Sequence, residues 1–213
     1  MSQLLIIFDV DGTLVDSEFL CCQALNDLIP TIAQSTEELV TLYRGRKLLD
    51  IFADIEHRYN VRLDNAFEPK YRLRVAELFS MHLQPFAGVI DMLESLPFAC
   101  CIASNGPKHK IRHALSTTGL SQYFGDKLYS AYCVNAWKPD PALFLYAASQ
   151  MGFSPQQCIV IEDSLVGIQA AEAANMRALR FLPSDVLPIQ ANTFSHMEQL
   201  IPLLNSLNSS KHN

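Results

Sequence analysis

Residues 4–13 read LLIIFDVDGT, an apolar run followed by two aspartates, Asp9 and Asp11. Consecutive apolar residues that end in a turn are typical of a strand buried on both faces of a parallel sheet. In open parallel sheets, ligands bind beyond the carboxyl ends of the strands. The segment therefore predicts a first strand over residues 4–8 and a functional position for the aspartates that follow it.

Other apolar runs have the same character, and a turn or a helix follows each of them. They lie at residues 98–103, 158–161 and 178–181, with a weaker one at residues 127–131. Residues 166–175 are rich in glycine and alanine, which predicts a helix packed closely on the sheet. Because strands alternate with helices, we expect an α/β fold with a Rossmann-like parallel sheet and helices on both faces.

The stretch between the first two strands is different, because it has helical periodicity and no convincing strand. Within it, Ser35 and Glu38 have the spacing of a capping box at the start of a helix. We therefore expect two domains. A Rossmann-like core comprises residues 1–15 and 85–213, and a helical bundle of residues 16–84 is inserted into it.

The composition is that of a folded domain, with 49% hydrophobic and 18% charged residues. The net charge of −6 argues against nucleic-acid and anionic-membrane partners, which would require clustered basic residues. No apolar segment is long enough to cross a bilayer. We therefore expect no nucleic-acid or membrane partners. We also expect a monomer.

The six cysteines lie partly within apolar runs and form no CxxC motif. We expect them to be reduced and buried, which favours a cytoplasmic location. The last residues, 205–213, are polar and are expected to be frayed.

Polar groups follow the predicted strands at what should be one edge of the sheet. Ser104, Asn105 and Gly106 follow the second strand, Lys138 follows the weaker one, and an acidic pair follows the run at 158–161. Two carboxylates about 4 Å apart repel by roughly 4 kcal/mol at an effective dielectric constant of about 20, so such a cluster requires a cation. Mg²⁺ suits carboxylate oxygens, and Lys138 with the hydroxyl and amide donors suits a phosphate.

Phosphoryl transfer is the chemistry that these groups suit. Asp9 is expected to be ionised at neutral pH and to attack phosphorus as a nucleophile. Asp11 can protonate the leaving oxygen and then activate the water that hydrolyses the aspartyl-phosphate. The metal and Lys138 would offset the charge on the transferring group.

These motifs also resemble a known family. DVDGT, SNG, the lysine of WKPDP and the ED pair resemble, in order, the four motifs of the haloacid-dehalogenase-like hydrolase superfamily. The resemblance covers nearly the whole chain and implies Asp9 as nucleophile and Asp11 as general acid and base. It also implies the remaining site residues. These are Ser104 and Lys138 as catalytic phosphate ligands, Thr13, Asn105 and Gly106 in substrate binding, and Mg²⁺ on Asp9, the Asp11 carbonyl and Asp163, with Glu162 bound to the ion directly or through another ligand.

The segments SNGP, DKLYSAY and WKPDPALF resemble sugar-phosphate phosphatases of the β-phosphoglucomutase-like branch. This implies a small phosphorylated metabolite as substrate, such as a sugar phosphate, with 6-phosphogluconate as one candidate. It also implies that residues 16–84 form a cap that selects substrates. Residues 44–47 read RGRK and form a basic loop of that cap. Lys47 is the first candidate for a substrate contact, and Arg44 or Arg46 is the second. A solvated loop is the alternative for all three.

A sugar phosphomutase of the same branch is the alternative function. Such mutases carry a histidine shortly after the first motif, where this chain has Cys21, and they commonly lack the equivalent of Thr13. Dehalogenases lack the second aspartate, which is present here as Asp11. Signalling receiver domains place the acidic pair before the phosphoacceptor and have no helical insert. The prediction is therefore a Mg²⁺-dependent phosphatase.

Overall fold

A computed structural model describes residues 4–44, 46–183 and 192–209. Backbone contacts divide the chain into two compact units. One comprises Met1–Val15 and Pro85–Asn213 and is called the core unit. The other comprises Asp16–Gln84 and is called the helical unit.

The core unit contains a six-stranded sheet within the described part of the chain. Its strands are β1 (Leu5–Phe8), β2 (Ala99–Ser104), β3 (Leu128–Ser130), β4 (Cys158–Glu162), β5 (Arg177–Phe181) and β6 (Thr193–Phe194). They run parallel in the order β3-β2-β1-β4-β5-β6. The predicted α/β fold is confirmed, although the two-residue strand β6 was not expected.

Strand β1 lies inside the sheet and is buried along its whole length. Successive side chains of a strand point to opposite faces. Leu5 and Ile7 join a core cluster that includes Phe144 and Ala170. On the other face, Phe8 packs edge-on against the ring of Phe124. Both faces of β1 are therefore covered, which explains its continuous apolar sequence.

The helical unit contains four helices, and its described residues include no strand. They are α1 (Ser17–Leu28), α2 (Thr36–Tyr43), α3 (Leu48–Tyr59) and α4 (Phe67–His82). The predicted capping box is present at α2, since Glu38 N donates to Ser35 Oγ at 3.2 Å and Ser35 N donates to Glu38 Oε2 at 2.8 Å. The ring of Phe52 packs edge-on against Phe67 and Tyr71, which joins α3 to α4.

The helices of the core unit connect and cover the strands. They are α5 (Val89–Ser95), α6 (Lys108–Thr117), α7 (Ser121–Phe124), α8 (Ala131–Val134), α9 (Ala142–Met151), α10 (Leu165–Ala173) and α11 (Leu200–Ser209). Across the described residues, no helix combines the length and hydropathy that a membrane span requires.

Two expectations from the sequence are wrong. Residues 205–209 belong to α11 and are not frayed, because Leu200 and Leu204 of this helix are buried in the core unit. Residues 210–213 lie outside the described part. All six cysteines are free thiols, but Cys133 in α8 is exposed, and Cys21 and Cys100 are only partly buried.

Candidate active site

The carboxyl ends of β1, β2 and β4 bring the first group of predicted residues together. Asp9 directly follows β1, and its backbone N–H donates to Ile161 O at 3.0 Å, which continues the pairing with β4. Ser104 ends β2, and Glu162 ends β4. Because these three strands are parallel neighbours, the side chains lie along one edge of the sheet.

Lys138 is held between two carboxylates at this edge. Its Nζ lies 2.6 Å from Asp9 Oδ1 and 2.6 Å from Glu162 Oε1. Its side chain is only 2% exposed, and its Nζ lies 4.9 Å from the ring centroid of Phe144. The backbone N–H of Lys138 also donates to Asn105 Oδ1 at 2.9 Å. Lys138 is therefore fixed at both its backbone and its ammonium group.

Burial changes the protonation of this cluster. It raises the pKa of Asp9 to about 7, against the lowering effect of Lys138, and the charge of Glu162 raises it further. For Lys138, burial acts to lower the pKa, but the two carboxylates beside it raise the pKa above its usual range. The pKa of Asp9 is therefore raised above its usual range, because burial outweighs the attraction of Lys138.

Glu162 uses both of its carboxylate oxygens within the protein. Oε1 accepts from Lys138, and Oε2 accepts from the backbone N–H and the hydroxyl of Ser164, each at 2.8 Å. Ser164 is the N-cap of α10. Glu162 therefore links Lys138 to the start of this helix.

The DVDGT segment forms a tight loop beside Asp163. Gly12 has a φ of 81°, and a Cβ added there would lie 2.5 Å from Asp163 Oδ2. The hydroxyl of Thr13 donates to Asp163 Oδ1 at 3.2 Å. Thr13 is fully buried, so the structure pairs it with Asp163 and gives it no open surface for the expected substrate contact.

The SNG segment forms a second loop at the same edge. Gly106 N donates to Ser104 Oγ at 3.1 Å, and Gly106 O accepts from Ser130 Oγ at 2.7 Å. Because Ser104 Oγ accepts this bond, its own O–H can donate to a second partner such as a phosphate oxygen. The side-chain oxygen of Asn105, Oδ1, accepts from the backbone N–H of Lys138. The side-chain amide nitrogen of Asn105 is therefore the group that could contact a ligand.

A lysine that sequence analysis missed lies beside Asp11. Lys110, in α6, places its Nζ 2.8 Å from Asp11 Oδ2, and both side chains are about one-quarter exposed (27% and 29%). The stem of Lys110 also lies close to Gly106, because a Cβ added at Gly106 would be 3.7 Å from Lys110 Cδ. Lys110 could have been predicted from its position in the sequence, three residues after Pro107 and at the start of the helix that follows the SNG loop.

Comparison with known proteins agrees with this geometry. Residues 6–181 match the family model described as haloacid dehalogenase-like hydrolase. The chain belongs to this family. The family that the four motifs predicted is therefore confirmed.

Three similar proteins illustrate the relationship within the haloacid dehalogenase-like hydrolases. The chain is 34% identical over 203 residues to 6-phosphogluconate phosphatase of Escherichia coli K12, covering 92% of this chain and 91% of that one. It is 30% identical to fructose-1-phosphate phosphatase of the same organism, covering 82% and 94% of the two chains. A haloacid dehalogenase-like protein of unknown function from Agrobacterium tumefaciens has a TM-score of 0.86 and 30% identity, covering 97% and 99%.

The site of this haloacid dehalogenase-like hydrolase has a donor set that fits a hard divalent cation. The described residues contain no cluster of three or more His, Cys, Asp or Glu side chains arranged for a metal. The metal ligands that the family resemblance implies are, however, only the carboxylates of Asp9 and Asp163 and the main-chain carbonyl of Asp11. Asp163 is 3% exposed and packs directly on Gly12, the residue after Asp11. Oxygen donors of this kind suit Mg²⁺.

The charge balance also favours a cation. Carboxylates outnumber basic groups even when Arg180, whose Nε donates to Asp163 O at 2.7 Å, is counted. The carboxylates are Asp9, Asp11, Glu162 and Asp163, and the basic groups are Lys110, Lys138 and Arg180. The carboxylates exceed the basic groups by one when Asp9 is ionised, and Asp9, Glu162 and Asp163 are buried. A divalent cation would therefore stabilise the ionised form of the cluster.

The basic residues expected in the cap lie in the helical unit. Arg44 Nε pairs with Glu18 Oε2 at 2.7 Å. The Arg46 guanidinium lies 5.5 Å from the ring centroid of Tyr43. Lys47 is exposed and forms the N-cap of α3. Gly45, between them, lies outside the described residues.

Replacing Lys110 with methionine is expected to lower kcat by about 10- to 100-fold, because a hydrogen bond between charged groups contributes roughly 1.5–3 kcal/mol. The substitution keeps the stem but removes the ammonium that orients Asp11. Steady-state kinetics on a generic phosphate ester measure the loss. Lys108→Met, two residues earlier in α6, is the matched control. Equal rates in the two variants would show that the Lys110–Asp11 pair does not affect turnover.

Proposed function

We propose that this chain is a Mg²⁺-dependent phosphatase that hydrolyses a small phosphorylated metabolite through an aspartyl-phosphate on Asp9. The observation that carries the proposal is the buried Lys138 ammonium, 2.6 Å from Asp9, at the sheet edge that also presents Ser104. A cation beside a carboxylate and next to hydroxyl and amide donors suits a phosphoryl group. Two relatives of the chain are named as sugar-phosphate phosphatases, which supports a sugar phosphate as the substrate class, with 6-phosphogluconate as the first candidate.

In the first step, a carboxylate oxygen of Asp9 forms a bond to phosphorus as the bond to the leaving alcohol oxygen breaks. Lys138 and the donors of the SNG loop offset the charge on the phosphoryl oxygens. Asp11 gives a proton to the departing alkoxide. For this, the carboxyl group of Asp11 must be protonated and must reach the leaving oxygen.

In the second step, water attacks phosphorus and its proton passes to Asp11. The bond from phosphorus to Asp9 breaks, which releases inorganic phosphate and restores the carboxylate. Asp11 therefore acts first as an acid and then as a base, as microscopic reversibility requires of one group that serves both steps.

Mg²⁺ would be held by the carboxylates of Asp9 and Asp163 and by the main-chain carbonyl of Asp11. When bound, it supplies positive charge that neutralises the carboxylates and the transferring phosphoryl group. It would also favour the ionised form of Asp9, whose pKa burial raises to about 7 in the protein alone. Thr13, through its hydrogen bond to Asp163, would orient one of these donors.

We propose further that residues 16–84 act as a cap domain on a catalytic core formed by residues 1–15 and 85–213. Lys47 and Arg44 are the proposed substrate contacts of the cap. Both residues are exposed, but Arg44 is already paired with Glu18, so Lys47 is the first residue to test. The six free thiols suit a cytoplasmic enzyme, and a monomer is proposed, which gel filtration would test.

The test is phosphate release from a panel of sugar phosphates and 6-phosphogluconate, in Mg²⁺ and in EDTA. Release that requires Mg²⁺ and is restored when the metal is added back would support the proposal, and the ranking of kcat/KM would identify the substrate. Equal release in EDTA would contradict the metal requirement. An isomerised sugar phosphate without free phosphate would instead indicate a phosphomutase.

Replacing Lys47 with alanine is expected to change the ranking of substrates more than the hydrolysis of a small generic phosphate ester. A generic ester lacks the carboxylate or hydroxyl groups that an exposed ammonium would bind. The measurement is kcat/KM for the preferred substrate and for the generic ester. Lys70→Ala, at an exposed lysine of α4, is the control. Equal losses on both compounds would argue against a role in specificity.

A further inference from the structure

Gly167 lies in the first turn of α10, where its backbone conformation does not require glycine. Its φ is outside the left-handed range, unlike that of Gly12. Alanine in a helix is more favourable than glycine by about 1 kcal/mol. The reason for glycine at this position must therefore be sought in its surroundings.

The space beside Gly167 is filled by the Glu162 side chain. A Cβ added at Gly167 would overlap the carboxylate carbon and both carboxylate oxygens of Glu162. Glu162 is 1% exposed, and Gly167 is buried as well. Any side chain at position 167 would therefore displace this carboxylate or shift the helix.

The carboxylate in this space belongs to a short hydrogen-bonded chain. Gly167 N donates to Ser164 Oγ at 3.1 Å, and Ser164 Oγ donates to Glu162 Oε2 at 2.8 Å. The opposite oxygen, Glu162 Oε1, accepts from Lys138 Nζ at 2.6 Å. The start of α10 is thus connected to the ammonium group that lies against Asp9.

Lysine depends on such partners for its position. Its ammonium is a point charge on a flexible four-carbon stem, so the two carboxylates beside Lys138 determine where the charge lies. A displacement of about 1 Å in a catalytic group can lower the rate by roughly 10²-fold. The location of the Glu162 carboxylate is therefore coupled to the proposed chemistry at Asp9.

We propose that Gly167 and Glu162 are positioning residues for Lys138. The missing side chain at Gly167 provides the space in which the Glu162 carboxylate holds the Lys138 ammonium against Asp9. Glu162 then acts through Lys138, a role that sequence analysis did not assign to it. The effect on turnover rests on the proposed phosphatase function, but the effect on the position of Lys138 does not.

The first experiment is Gly167→Ala, assayed on a generic phosphate ester. We expect kcat to fall by about 10²-fold and KM to change less. This loss is expected even though alanine has a higher helix propensity than glycine. Gln169→Ala, at an exposed position of α10, is the matched control and should keep wild-type kinetics. Circular dichroism shows whether each variant is folded.

A double-mutant cycle separates positioning from general damage to the core. In a Glu162→Ala background there is no carboxylate to displace, so adding Gly167→Ala should cause no further fall in kcat. The double variant should therefore equal Glu162→Ala alone. If the two losses multiply instead, Gly167 does not act through Glu162 and the proposal is overturned.

The second readout is independent of activity and of the Glu162→Ala variant. Lys138 is 2% exposed, so an amine-acylating reagent followed by peptide mass mapping should label it slowly compared with exposed Lys127. In Gly167→Ala, labelling of Lys138 should accelerate while that of Lys127 stays unchanged. Unchanged labelling of Lys138 would overturn the proposal. If the wild-type protein released no phosphate from any compound, this labelling would still test the positioning.

Discussion

Replacing Asp9 with asparagine is expected to abolish phosphate release while the chain remains folded. The amide is close in size to the carboxylate, and its oxygen can still accept a hydrogen bond from Lys138. Lys138 also keeps its partner Glu162, 2.6 Å away. An amide is, however, a poor nucleophile. Loss of a nucleophile lowers kcat on the order of 10⁶-fold, which would bring phosphate release to background.

The measurement is phosphate release in Mg²⁺, with thermal unfolding and circular dichroism on the same preparations. Asp91→Asn, at an exposed aspartate of α5, is the matched control and should retain full activity. If Asp9→Asn kept more than a trace of turnover above that background, a different group would have to be the nucleophile, and the aspartyl-phosphate mechanism would be wrong.

Replacing Lys138 with methionine is expected to reduce both stability and activity. Methionine can fill the volume of the stem, but the carboxylates of Asp9 and Glu162 would lose the cation that lies between them. Removing one partner of a buried ion pair destabilises a fold by about 3–5 kcal/mol. Loss of a group that stabilises transition-state charge lowers kcat by about 10²- to 10³-fold.

Chemical denaturation and steady-state kinetics would measure these two effects. Lys127→Met, at an exposed lysine, is the control. Adding Glu162→Gln to Lys138→Met removes one of the facing charges, so it should restore part of the stability and none of the activity. Recovery of both together would mean that Lys138 has only a structural role.

The sheet could be predicted because the information for it is local. Strand β1 has no solvent-facing side, since one face packs in the cluster with Phe144 and the other against Phe124. Its sequence is therefore apolar throughout. The polar residues that follow β1, β2 and β4 were recognisable for the same reason, since each stands directly at the end of such a run.

Predictions that depended on longer-range packing were less successful. Cys133 was expected to be buried but is exposed, because the local sequence does not specify which side of α8 faces the core. The polar residues at 205–209 were expected to be frayed. They are helical because Leu200 and Leu204, earlier in α11, are buried and hold the helix in place.

The sequence by itself determined which chemical groups stand at the sheet edge, because strand ends and turns are encoded by neighbouring residues. Only the tertiary structure decided how those groups are paired. Lys138 reaches Asp9 across 129 positions, and Lys110 reaches Asp11 across 99. The space beside Gly167 that holds the Glu162 carboxylate likewise exists only because α10 packs against the end of β4. Such pairings depend on distances between side chains from separate elements, and the packing of those elements sets them.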